Sequence, residues 1–172
     1  MVRPHPESPT PDSLRVLTLV RELNDGLGAQ QFGQLLQNLL ALAFKKEGFT
    51  VLRNAVGVPD LQVYGRASPE GYAIESKTGD TSITLSRRDL DGVMSTNRTP
   101  VVAAYFLSDP TPRWWLVDAR VLRPMAYRRY DLESKPAVDV GFDVTAIFAR
   151  LVVSNLRIAI AGPGAVARLL DE

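Results

Sequence analysis

Asp60, with Pro59 before it, and the tripeptide Glu75-Ser76-Lys77 are the residues of this sequence best suited to chemistry. Fourteen residues lie between Asp60 and Glu75, a spacing that brings the two carboxylates to one sheet edge if they stand on neighbouring strands. Side chains alternate along a strand, so Glu75 and Lys77 share a face and Ser76 points the other way. Two converging carboxylates suit Mg²⁺, a hard cation that takes oxygen ligands and keeps waters for a substrate phosphate. Such a cation polarises a phosphoryl oxygen and lowers the pKa of a bound water. A lysine beside it orients or deprotonates that water, or stabilises charge on the transition state.

The rest of the composition leaves few other chemistries. The chain has 172 residues, 45% hydrophobic and 23% charged, which is ordinary globular composition and a length that fits one domain. It has no cysteine, which excludes disulfides, thiol nucleophiles and zinc-finger sites. Its one histidine is His5, in a leader with Pro4, Pro6 and Pro9, so any Ser-His-Asp triad would depend on a poorly placed histidine. Lys+Arg number 20 against 19 Asp+Glu, so net charge alone points to no nucleic-acid partner. No apolar run reaches 18 residues and the leader has no apolar core, so the reading is a cytoplasmic protein with no membrane partner.

The elements that must position the site follow from periodicity. Residues 1–11 read as a flexible tail and 12–172 as one domain. Asp12 or Ser13 is placed to cap a helix through Leu14, Leu17 and Val20, which the run Asn24 to Gly28 ends. A second helix spans about Ala29 to Glu47, with Phe32, Leu35, Leu36, Leu39, Leu40, Ala43 and Phe44 on one stripe and Gly48 closing it. Phe49, Val51 and Arg53 then alternate as a strand. A Gly57 turn, a strand through Leu61 and Val63, a turn from Gly65 to Gly71 and a strand from Tyr72 to Lys77 come next. Ser86 and Asp89 form a capping-box signature for a helix from Arg87 to about Ser95. Pro100 to Leu107 reads as a buried central strand and Trp114 to Val117 as another. Beyond these, Val144 to Val153 reads as helix, Leu156 to Ile160 as a short strand, and Gly162-Pro163-Gly164 as a turn before a last helix. The order indicates an α/β domain on one mixed sheet.

Pro59-Asp60 followed by Glu75-x-Lys77 resembles the PD-(D/E)xK pattern of restriction-endonuclease-like nucleases. With Gly28-Ala29-Gln30, Gly48-Phe49-x-Val51-x-Arg53, Val58-Pro59-Asp60-Leu61, Ile74-Glu75-Ser76-Lys77, Arg87-Arg88-Asp89-Leu90, Pro100 to Ala103 and Trp114 to Val117, the stretch from about Gly28 to Asp118 is similar to archaeal-type Holliday junction resolvases. Residues 119–172 form an extension outside it. The resemblance implies a restriction-endonuclease-like core, a mixed central sheet flanked by helices. It implies hydrolysis of DNA phosphodiesters by a Mg²⁺-dependent endonuclease, with Mn²⁺ able to substitute. Asp60, Glu75 and Lys77 are then catalytic, Asp60 and Glu75 ligate the metal, and Arg53, Arg87 and Arg88 flank the site for DNA contact. The same likeness implies a homodimer, and the apolar stretch around Ile147 to Ile160 is a candidate for its interface. The family carries a glutamate on its first core helix as a further ligand. Here Gln37 stands in that place, with Gln34 on or near the same face as the alternative, and a glutamine brings a carbonyl oxygen but no charge. A small restriction or repair endonuclease, and a weakened nuclease fold serving as a DNA-binding module, are the other readings.

The sequence holds a second copy of the tripeptide, Glu133-Ser134-Lys135, and fourteen residues also lie between Asp118 and Glu133. That copy follows a segment with Pro124 and several arginines, and Pro136 comes immediately after it, which restricts Lys135 and removes a ladder donor. The first copy is therefore the expected site. Arg120, Arg123, Arg128, Arg129 and Lys135 are open to two readings, a solvated loop or a phosphate-contacting surface. Trp114 and Trp115 are read as one core and one interfacial ring, with base stacking as the alternative.

Overall fold

A computed structural model describes residues 11–53, 59–65 and 68–172 of the chain. Two helices come first, α1 (Pro11–Leu27) and α2 (Ala29–Lys46), and then the strands β1 (Thr50–Arg53), β2 (Leu61–Gly65), β3 (Ser68–Gly79) and β4 (Ser82–Leu85). After α3 (Arg87–Met94) come β5 (Thr99–Phe106), β6 (Trp114–Asp118), a 3-10 turn at Ala119–Val121, β7 (Met125–Arg128) and α4 (Arg129–Glu133). The chain closes with α5 (Val144–Ser154), α6 (Leu156–Ile160) and α7 (Pro163–Asp171). The expected leader with His5, the Gly57 turn and Val58 lie outside the described residues.

The fold is α/β, with a mixed five-stranded sheet in the order β1-β2-β3-β5-β6. β3 and β5 run parallel and the other neighbours antiparallel. Period-two alternation divides the sheet's side chains between two apolar clusters. Ile74, Val101, Ala103 and Tyr105 pack with Phe32, Leu35, Leu36 and Leu39 of α2 and with Phe148 of α5. Ala73, Val102, Ala104 and Phe106 pack instead with Leu90 and Val93 of α3, Tyr127 of β7 and Leu132 of α4. Each fully buried leucine contributes roughly 1.5–3 kcal/mol, and Leu35, Leu36, Leu39 and Leu40 are all completely buried. That stripe fixes the rotation of α2 and hence which of its residues face the site. Lys45 fastens α2 to the last helix by donating to the carbonyl of Leu170 at 2.8 Å, a cation on the carbonyl end of a helix.

Several local expectations change. α1 opens at Pro11, where a missing N–H costs no intrahelical bond, so Asp12 and Ser13 lie inside the helix rather than capping it. The turn expected up to Gly71 is strand from Ser68 on, with a register irregularity between Val63 and Gly65. Gly71 has φ +69°, and a Cβ there would run into the Val63 carbonyl, so the bend requires glycine. Leu156–Ile160 is helix, not strand, with Ala159 N–H donating to Asn155 O at 2.8 Å. Pro163 begins α7 directly at the expected turn. β4 pairs with β7 in a separate two-stranded sheet that periodicity did not indicate. The segment expected at a dimer interface is mostly used within the chain, because Phe148, Leu151, Val152 and Ala159 are buried and only Val153 and Ile160 are large exposed hydrophobics there. No helix among the described residues is long and apolar enough to cross a membrane.

Candidate active site

The sheet opens where β2 begins. Leu61 stands opposite Ile74, while β3 continues along β5 as far as Gly79. Asp60, just before β2, therefore faces the stretch of β3 that carries Glu75, Ser76 and Lys77. The Ser76 N–H and hydroxyl both donate to Asp60 Oδ2, at 3.0 and 3.2 Å. The carboxylate thus closes the gap left by a departing ladder partner, and its Oδ1 accepts no hydrogen bond among the described residues. Lys77 Nζ lies 3.2 Å from Glu75 Oε1 and 3.1 Å from Asp89 Oδ2. Asp89 comes from α3, where it forms the expected capping box with Ser86. Ser76 and Asp89 are site residues that spacing alone did not identify. Asp89 was visible as a cap, but its contact with Lys77 depends on the packing of α3 against β3.

Asp60, Glu75, Ser76 and Lys77 line a cavity of about 410 Å³ with Gln30, Gly33, Gln34 and Gln37 of α2. The four recur at helical spacing and make one stripe, opposite the leucines. Gln37 and Gln34 both reach the wall, and both also line a neighbouring cavity of about 350 Å³ with Arg53 and the start of α7. Arg53 is drawn toward Asp171 at 3.3 Å. Arg87 and Arg88 stand exposed on the first turn of α3, next to Asp89. Trp114 and Trp115 are both 2% exposed, so neither offers a ring for stacking. Trp114 packs edge-on to Phe148, and Arg113 lies over Trp115.

The electrostatics follow from burial. Glu75 is 3% exposed, and its carboxyl is pushed up to about 7, first by desolvation and then by the charge of Asp60, against the pull of Lys77. Asp60 is also raised by burial, with the two Ser76 hydrogen bonds opposing. Burial pulls the Lys77 ammonium down, but Glu75 and Asp89 outweigh it and raise its pKa. Asp89 is lowered, because the Ser86 N–H and Lys77 overcome its own desolvation.

Among the described residues, Glu75 Oε2 is buried and has no hydrogen-bond partner. A buried carboxylate oxygen left unpaired is costly, and an oxygen-seeking cation would satisfy it. Two carboxylates and glutamine carbonyls around one cavity fit such an ion, although no group of three or more His, Cys, Asp or Glu gathers for a metal among the described residues. The chain matches no family model and no curated protein sequence.

Proposed function

We propose that this chain is a metal-dependent endonuclease with a restriction-endonuclease-like core, which hydrolyses DNA phosphodiesters as a junction resolvase or another structure-selective nuclease. The observation that carries the reading is the unpartnered Glu75 Oε2 beside Asp60, with Lys77 on the same cavity wall. Mg²⁺ or Mn²⁺ held by Asp60 and Glu75, with Gln37 offering a neutral oxygen, would polarise a phosphoryl oxygen and acidify a water. Asp60 is oriented for this by Ser76, whose two hydrogen bonds both go to Oδ2. Lys77 stays protonated between two carboxylates and places positive charge where a phosphorane gains negative charge. Arg53, Arg87 and Arg88 bind flanking phosphates, which makes affinity fall steeply with salt. Cutting two strands calls for two such sites, as a homodimer supplies.

Plasmid nicking in Mg²⁺, Mn²⁺ or EDTA tests the reading. Cleavage should need the metal and should vanish in Asp60→Ala, while that variant still binds DNA. Metal-independent nicking, or none at all from folded protein, overturns it.

The uncharged α2 face favours a second reading, a weakened nuclease fold that binds DNA without cutting it. Gln37→Glu separates the two. With Gln37 on the cavity wall, a third anionic oxygen should lower the Mg²⁺ needed for half-maximal cleavage by about tenfold, and Gln34→Glu should do less. A chain inert before the exchange and active after it would support the second reading.

A further inference from the structure

We propose that Asp89 is a positioning residue that keeps Lys77 at the site once a cation occupies Glu75; this rests on the nuclease reading above. Lys77 Nζ is shared between Glu75 Oε1 at 3.2 Å and Asp89 Oδ2 at 3.1 Å. Without a metal the ammonium is itself the counter-charge of Glu75. A divalent cation drawn to the same carboxylate repels it, and a lysine on a flexible four-carbon stem would swing into solvent. Asp89 is the second anion in contact with the ammonium, so it decides whether the lysine stays.

Asp89 is held firmly enough to do this. The oxygen that meets Lys77 also accepts the Ser86 N–H at 2.9 Å, and the Asp89 N–H donates to Ser86 Oγ at 3.1 Å. The capping box fixes the carboxylate to the first turn of α3. Leu90 and Val93 fix that turn to the sheet through the second apolar cluster. The charge is thus anchored on α3 while reaching Lys77. The arrangement also has a cost without Asp89: a released ammonium would settle fully on Glu75 and compete with the cation.

The test combines Mn²⁺ affinity, read from the free-ion paramagnetic resonance signal, with the cleavage rate at saturating DNA and metal. Asp89→Asn keeps an oxygen for the Ser86 N–H but loses the charge. It should weaken Mn²⁺ binding about fivefold in the native background and leave it unchanged in Lys77→Ala, a non-additivity expected only of residues acting on each other. The saturated rate should fall about tenfold or more with KM for DNA unchanged, since the loss falls on the transition state. Asp89→Glu should recover most of both. Ser86→Ala, which removes half the cap and no charge, should lower the melting temperature only. If Asp89→Asn does not fold, Asp89→Gln, whose amide oxygen can accept the Ser86 N–H without a charge, takes its place. Equal loss of Mn²⁺ affinity in both backgrounds would show Asp89 acting as a distant charge, and an unchanged rate would remove its role in the reaction; either overturns the proposal and leaves the nuclease reading intact. Native protein that neither binds Mn²⁺ nor cuts DNA fails the nuclease reading itself, and the positioning role with it.

Discussion

The two Glu-Ser-Lys copies share three residues and the distance to an upstream aspartate, yet the fold treats them oppositely. Glu75 lies on the strand between β2 and β5, buried, with Asp60 and Lys77 beside it. Glu133 is the last residue of the short helix α4 and is exposed. Its upstream aspartate, Asp118, is already taken by Arg120, whose Nη2 and Nε approach it at 2.6 and 2.9 Å. That contact holds Asp118 below the usual carboxylate range, where desolvation holds Glu75 above it. A tripeptide therefore carries no chemistry of its own. What sets Glu75 apart is the withdrawal of water and of hydrogen-bond partners, and both follow from its place on a central strand.

The sharpest way to break this contrast is cleavage. Lys77→Ala and Glu75→Ala should each lower the rate at saturating DNA and Mg²⁺ by about 10³-fold, with the fold intact by circular dichroism. Glu133→Ala and Lys135→Ala should stay near the native rate and at most raise KM. A dead second pair with an active first would move the site to Asp118 and Glu133. If all four variants are active, no nuclease of the proposed kind is present.

Next in size is the pH dependence of stability in the metal-free protein. Glu75 has a folded pKa of about 7 against an ordinary value of 4.5. Folded protein then binds the proton more tightly than unfolded protein, so Glu75 withdraws stability as pH rises between these two values. The loss amounts to about 3 kcal/mol by linkage. Glu75→Gln lacks this titration, so its stability relative to the native chain should climb with pH across that window and level off above it. Glu133→Gln should give a flat difference. Urea unfolding at several pH values checks both, and a flat difference for Glu75→Gln would mean that the carboxylate is solvated.

Where the sequence made this contrast legible, local signals agreed with the tertiary outcome. The α2 stripe, the Ser86/Asp89 cap and the Pro100 to Leu107 run each announce their element, and together they place Asp60, Glu75 and Lys77. The cap even held a site residue in view without its role, because the Asp89–Lys77 contact arises from packing between α3 and β3. The β4–β7 pair gave no such signal. Its strands are four residues each and lie about forty residues apart, and what stabilises them is Ile83 and Tyr127 packing under the main sheet. Leu156–Ile160 misled in the other direction. Its alternating apolar residues read as strand, yet Ile160 is 62% exposed and Ala159 is the buried residue of a helical turn. In so short a segment, neighbouring helices outweigh local preference.

The smallest expected effect compares the two middle serines. Ser76 Oγ donates to Asp60 Oδ2 at 3.2 Å, in support of the backbone N–H at 3.0 Å on the same oxygen. Ser134 Oγ donates to the Asp131 carbonyl at 2.8 Å, at an exposed helix end. Ser76→Ala removes one of two bonds to a carboxylate that burial already raises, so Asp60 should rise further and ionise less readily. The backbone bond remains and preserves the orientation, which limits the stability change to about 1 kcal/mol. The Mg²⁺ needed for half-maximal cleavage should increase, by about threefold at the acid end of the active range, and the increase should shrink as pH rises, because alkali restores the charge that the lost hydrogen bond had favoured. Ser134→Ala loses a bond that water replaces, so stability should shift by no more than about 0.5 kcal/mol, with the Mg²⁺ dependence unmoved. Equal behaviour of the two serines would place Asp60 in water, and with it the difference between the two copies would lose its physical basis.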